Sequence, residues 1–258
     1  MSNILALTKL YFLGCLRRQA HLSTLFLGAI LLMLPAYVNA FSLGISAFER
    51  VSKDFGLTLI TYFGVGMTLL LASSSIPKDL ENRSIYPILA RPINRLEYIL
   101  GHLMAILLLI ALSLLILGSC LTVSVAGLSR TVDFQIFIAL LALFGQLSIV
   151  ASLTVAVSTV ASPALAGTVG AFVYLIGSLP GAFIRFFLLE DRGSEFSSML
   201  ATALKAVLPN LSIFQLKDAV VHNIEYSSAY LPSICLYTML WVLIALTLSA
   251  MLFGRKDL

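Results

Sequence analysis

The chain has 258 residues, of which 60% are hydrophobic and only 11% charged, with a formal net charge of +4. A soluble domain carries about 25% charged residues, so this composition, at a mean hydropathy of +1.02, excludes a soluble globular protein and specifies an all-α integral membrane protein. The length leaves room for about six helical spans of roughly 20 residues each, and the basic excess fits cations held at a membrane face, with no soluble basic patch for nucleic acid.

In chain order, Asn3–Gln19 is mostly apolar, with Lys9, Arg17 and Arg18 interspersed. This pattern predicts an interfacial helix over residues 1–20. The apolar run that follows is too long for the core of a removable signal peptide. Runs free of Asp, Glu, Lys and Arg then locate the spans: Leu22–Phe48, Phe55–Pro77, Tyr98–Ser129, Phe134–Ile184 and Tyr226–Gly254. The fourth run has 51 residues, roughly 76 Å of helix, which is enough for two crossings of a ~30 Å core. Ser162-Pro163 is its natural break, because proline disfavours helix in the residue before it. The predicted spans are 22–43, 56–76, 99–124, 135–160, 164–187 and 233–254, in one helical membrane domain over 1–258.

Basic residues in short flanks orient the spans. Lys9, Arg17, Arg18, Lys78, Arg83, Arg91, Arg95, Arg255 and Lys256 fall on one side, against Arg50, Lys53 and Arg130 in short loops on the other. Both termini are therefore expected in the cytosol. Between the last two spans, over 188–232, the apolar residues of Ser194–Leu208 recur at helical spacing. After Pro209-Asn210 the pattern returns at Ile213, Leu216, Val220, Val221 and Ile224. Each piece is too short to span, which predicts two short interfacial or re-entrant helices at the outer face.

Cys15, Cys120 and Cys235 are odd in number and lie in or beside apolar stretches, as packing residues do; they suit neither a disulfide framework nor a metal site. His21, His102 and His222 have no metal-ligand spacing. No phosphate-binding Gly-x-x-x-x-Gly-Lys-Ser/Thr and no serine-nucleophile motif occurs, so neither ATP hydrolysis nor other catalysis is expected of this chain, and no cofactor. The predicted spans hold almost no acidic or basic residues, and His102 is the candidate among them. Ion-coupled carriers generally need such groups inside the membrane, so energy coupling from outside is the better expectation.

The place for it is the charged island between the second and third spans, residues 77–98. It holds Lys78, Asp79, Glu81, Arg83, Arg91, Arg95 and Glu97. Ser73–Pro77 is expected to end the second span, and Lys78–Leu89 to form a short helix that Pro87 breaks or bends. Such a helix can grip a partner as a lever. A polar loop whose arginines anchor to lipid phosphate explains Arg91 and Arg95 equally well, but it accounts less well for the mixed signs at Asp79, Glu81, Arg83 and Glu97.

The wording of the island resembles the cytosolic loop of ABC-2-type permeases. Their pattern is an acidic residue, a spacer, then Leu-x-x-Pro-x-x-Arg, matched here by Glu81, Leu89, Pro92 and Arg95, with Gly101 leading into the span. Arg83-Ser84 stands where the family often has Gly-Thr, and His102 where it often has Lys. Leu208-Pro209-Asn210-Leu211-Ser-Ile-Phe214 with Lys217-Asp218-Ala219, and the basic tail Phe253–Leu258, are similar to the family's final segments. The resemblance implies six spans, a cytosolic coupling helix carrying Lys78, Asp79, Glu81, Arg83, Arg91 and Arg95, and outer helices around Pro209, Asn210 and Phe214 that gate release. It also implies two copies of a separate ABC ATPase holding ATP and Mg, and a second permease subunit, identical or related. A bacterial cytoplasmic membrane is the expected location. Uncharged spans suit an apolar or amphipathic cargo such as a lipid, a lipid-linked glycan or a hydrophobic drug. The rival reading is a non-transporting scaffold or sensor that uses the island to anchor a cytosolic protein.

Overall fold

The computed structural model describes residues 2–17, 20–39, 45–81, 95–129, 134–179, 208–217 and 230–254. They form seven α-helices and one short 3-10 turn, with no strand among the described residues. The helices are α1 (Ser2–Arg17), α2 (Ala20–Asn39), α3 (Ile45–Glu81), α4 (Arg95–Ser129), α5 (Gln135–Ser158), α6 (Pro163–Ser178) and α7 (Tyr230–Gly254); the 3-10 turn is Leu211–Phe214. Four helical stretches among the described residues are long and apolar enough to cross a membrane: Arg50–Asp79, Leu96–Gly127, Gln135–Ser158 and Tyr230–Leu252.

Helix α5 is the hub. It packs against α3, α4, α6, α7 and the 3-10 turn. Small residues make this possible, with Ala139, Ala142, Gly145, Ser148, Ala151, Ser152 and Ala156 all buried. Helices approach closely in a membrane where side chains are small. The hydroxyls buried in the process bond to their own helix, as Ser148 does to the Phe144 carbonyl at 2.7 Å and Thr154 to that of Val150 at 2.7 Å. On the facing α6, a Cβ on Gly170 would collide with the Thr154 hydroxyl and Leu69. In contrast, α7 turns Leu236, Met239, Leu243, Ile244 and Met251 outward, the surface expected where lipid is the solvent.

Several boundaries differ from the sequence expectation. Span two does not end at Ser73–Pro77: α3 passes through Pro77 to Glu81. Packing overrides the proline here, because Ile76 is fully buried and Asp79 is held by α4. Lys78, Asp79 and Glu81 thus close α3 instead of opening a separate helix, while the rest of the predicted coupling helix lies outside the described residues. At its other end α3 takes in Arg50, Lys53 and Asp54, expected as loop, and Lys53 is buried at 1% exposure.

The break before α6 falls where expected. Ser162 is extended at ψ 159° and Pro163 opens the helix. That helix ends at Ser178, with Leu179 extended at ψ 125°, short of the predicted 187. The predicted helix over Ser194–Leu208 lies almost wholly outside the described residues. Beyond Pro209 the chain makes a 3-10 turn, not the start of an amphipathic α-helix, and is helical again only at Lys217. The Asn210 side chain accepts from the Ser212 N–H at 3.2 Å and caps this tighter turn.

Candidate functional site

Two polar clusters mark opposite ends of the bundle. At the first, the C-terminus of α3 meets the N-terminal part of α4 and the flank of α1. Tyr98 and His102 are one helical turn apart and so share a face of α4. The Tyr98 hydroxyl donates to Asp79 Oδ2 at 3.0 Å, and His102 Nε2 lies 3.2 Å from the same oxygen. Tyr11 of α1 stacks on the His102 ring at 3.6 Å between centroids, and Tyr98 meets that ring edge-on at 4.7 Å. Burial, with the Asp79 carboxylate beside it, pushes the Tyr11 phenol far above its ordinary pKa, so it stays neutral. Gly101 lets α1 approach: a Cβ there would sit 2.9 Å from the Cβ of Leu7. The cluster therefore ties α1, α3 and α4 into one corner. Beside it lies a cavity of about 560 Å³.

At the other end the segment 208–217 is wedged among α5, α6 and α7. Leu211, Phe214 and Leu216 are buried. Phe214 fills the space that a side chain on Gly145 would need, at 2.9 Å, and the Pro209 carbonyl lies 2.8 Å from where a Cβ on Gly177 would sit. Gly145 is ten residues into α5, about 15 Å from its start. The turn is therefore re-entrant and not laid on the end of the bundle. Hydrogen bonds hold it: Tyr237 OH accepts from the Asn210 N–H at 2.8 Å, Tyr230 OH donates to the Ile213 carbonyl at 2.6 Å, and Gln215 Nε2 donates to the Ser178 carbonyl at 3.0 Å. Lys217 Nζ lies 2.8 Å from Asp54 Oδ1 and donates to Thr58 Oγ1 at 2.9 Å. A cavity of about 250 Å³ opens beneath the wedge, lined by Thr58, Thr61, Gln146, Tyr174 and Lys217 among others. Gln146 is 2% exposed and donates to Ser178 Oγ at 3.2 Å.

A family model described as ABC-2 family transporter protein matches residues 4–258. The chain belongs to the ABC-2 transporter family. No curated protein matches it. In this family the membrane component serves transport and is not itself catalytic, and the apolar helices accord with a multi-pass membrane protein.

The permease brings only part of the predicted coupling set together. Asp79 sits in the corner cluster, bonded within the chain, and Lys78 lines the adjacent cavity. Glu81 is the last residue of α3 and Arg95 the first of α4; Arg83 and Arg91 lie outside the described residues. The predicted gate residues are together: Pro209 is buried, Asn210 caps the turn and Phe214 is 2% exposed against Gly145. Sequence reasoning did not single out Tyr11 or Tyr98 for this corner, nor the Asp54–Lys217 pair. The one-turn spacing of Tyr98 and His102 was a signal for the first; nothing in the sequence joins Asp54 to a residue so far along the chain. Among the described residues no cluster of His, Cys, Asp and Glu is arranged to hold a metal ion.

Proposed function

We propose that this permease is the transmembrane half of an ATP-driven exporter. The observation that carries the reading is the family match over residues 4–258. The family in general implies an ABC ATPase partner; here two copies would supply ATP and Mg from below, and a second permease subunit, identical or related, would complete the pathway. Six spans follow if α2 is the first and α6, with the chain beyond it, the fifth. The basic flanks then put both termini and the 77–98 stretch in the cytosol, in a bacterial cytoplasmic membrane.

In this arrangement α1 lies in the interface. Its Leu7 face packs on α4 while Leu5, Leu10 and Leu13 are exposed, as suits a helix bedded in lipid. Force enters through the end of α3. The helix is continuous from the outer wedge to Glu81, so a push on Lys78, Asp79 and Glu81 is transmitted along one rigid element; Arg83, Arg91 and Arg95 would complete the surface offered to the ATPase. At the far end Pro209, Asn210 and Phe214 form the outer gate. The polar lining beneath that gate favours an amphipathic cargo over a wholly apolar one, since buried amides and hydroxyls need partners.

The test is Glu81→Lys in the purified permease–ATPase complex. Membrane insertion stays normal, while ATPase docking weakens or ATP turnover continues without transport. Unchanged assembly and unchanged coupled turnover would remove Glu81 from the coupling role.

A further inference from the structure

The larger cavity, at the α3–α4 corner, is not explained by coupling. It lies between α1, α3, α4 and the start of α6. Its α3 wall changes character along the helix axis, from Leu70 and Leu71, through Ser73, Ser74 and Ser75, to Lys78. Eight residues separate Leu70 from Lys78, roughly 12 Å of rise. That distance covers the transition from hydrocarbon to headgroup, since the polar region adds about 5–8 Å on each side of a ~30 Å core. The wall is therefore graded in the order of a lipid leaflet.

The polar end is formed by Tyr11, Asp79 and His102 together with Lys78. His102 Nε2 lies 3.2 Å from Asp79 Oδ2 and the Tyr11 phenol is beside the same carboxylate, so these three groups answer one another. The serine hydroxyls donate to their own helix, Ser74 to the Leu70 carbonyl at 2.8 Å and Ser75 to that of Ala72 at 2.9 Å; this leaves their oxygens as acceptors. The charge that remains to be answered is Lys78, which has no carboxylate partner among the described residues. The Asp79 carboxylate also lines the cavity but is engaged by Tyr98 and His102, which leaves Lys78 as the charge an occupant would meet.

We propose that this cavity binds a phosphate-headed amphiphile of the cytosolic leaflet, with the phosphate on Lys78 and the chains against Leu70, Leu71 and Ile106. The site takes from the proposed function only that this end of the bundle faces the cytosol. Its occupant lies against the residue that begins the coupling stretch, so filling it stiffens the element through which the ATPase acts.

Gly14 gives a clean probe. It lines the cavity, and a Cβ built there meets nothing within 4 Å, so Gly14→Leu fills the space without a clash at its Cβ. The full-length protein, purified in mild detergent together with any ATPase it retains, is exchanged into mixed micelles of phosphatidylglycerol and diacylglycerol with matched chains. The lipid kept after washing is counted by mass spectrometry. The native chain retains phosphatidylglycerol in preference to diacylglycerol. Lys78→Gln lowers that retention about tenfold, the scale of one charged hydrogen bond, and leaves diacylglycerol unchanged. Gly14→Leu removes both, and if that variant does not fold, Lys78→Gln decides alone. Equal phosphatidylglycerol on all three proteins overturns the site. Full displacement by millimolar inorganic phosphate overturns the amphiphile and leaves an ion site. Retained ATPase without lipid preference overturns this proposal only, whereas lipid preference without any ATPase overturns the exporter reading only.

Discussion

A single carboxylate, Asp79, holds three helices at one corner, and its worth can be measured. The Tyr98 hydroxyl donates to Asp79 Oδ2 in a setting where Tyr98 is fully buried. Hydrogen bonds to charged groups contribute about 1.5–3 kcal/mol. Tyr98→Phe should therefore destabilise the detergent-solubilised protein by about that amount in thermal unfolding, and a loss below roughly 0.5 kcal/mol would show that the bond does not carry the corner. The Asp54–Lys217 pair is different, because its side chains are 45% and 37% exposed. Exposed pairs are worth about 0.2–1 kcal/mol, so Lys217→Met should cost no more than that in the same assay. His102 was conspicuous in the sequence as an ionisable group in an apolar run. Its neighbours Tyr11 and Asp79 come from two other helices, and only packing brings them to it.

At the level of elements, the four long apolar helices were legible because charge is costly in hydrocarbon. Uncharged runs therefore mark the bilayer. They do not mark the ends of helices. A helix can continue past the apolar core where its charged residues are solvated or paired. Helix α3 takes in Arg50, Lys53 and Asp54 at one end and Lys78 to Glu81 at the other, with Asp54 paired to Lys217 and Asp79 to Tyr98 and His102. The proline signal succeeded at Pro163, which opens a helix, and failed at Pro77, where tertiary packing held the helix together. The re-entrant turn was only partly legible: Pro209-Asn210 announced an interruption, but the fit of Phe214 against Gly145 depends on depth, which one sequence does not encode. Gly177→Val tests that fit. Its side chain would meet the Pro209 carbonyl, whose position 2.8 Å from a Cβ leaves no room. The displaced turn should release Tyr237 and shift the emission of Trp241, the single tryptophan, whose ring lies 6.4 Å from that of Tyr237. An unchanged spectrum in a folded variant would contradict the wedge.

For the whole molecule, the two polar corners at opposite ends of the bundle give the account a direction. One corner leads into the charged 77–98 stretch, the other sits under the turn before α7. Orientation can be checked with a membrane-impermeant thiol reagent on single-cysteine variants of a chain lacking Cys15, Cys120 and Cys235. Asp257→Cys should be modified only from the cytosolic side and Thr131→Cys only from the opposite side, and the reverse pattern would invert the account. The central claim is that this permease works with a separate ATPase, and the most direct measurement is what remains bound to it. The protein should be purified gently from its native membrane and its companions identified and counted by mass spectrometry. The account predicts an ABC ATPase in equal number with the permease chains. An intact preparation containing no such ATPase would contradict it and leave a membrane scaffold or sensor as the better description.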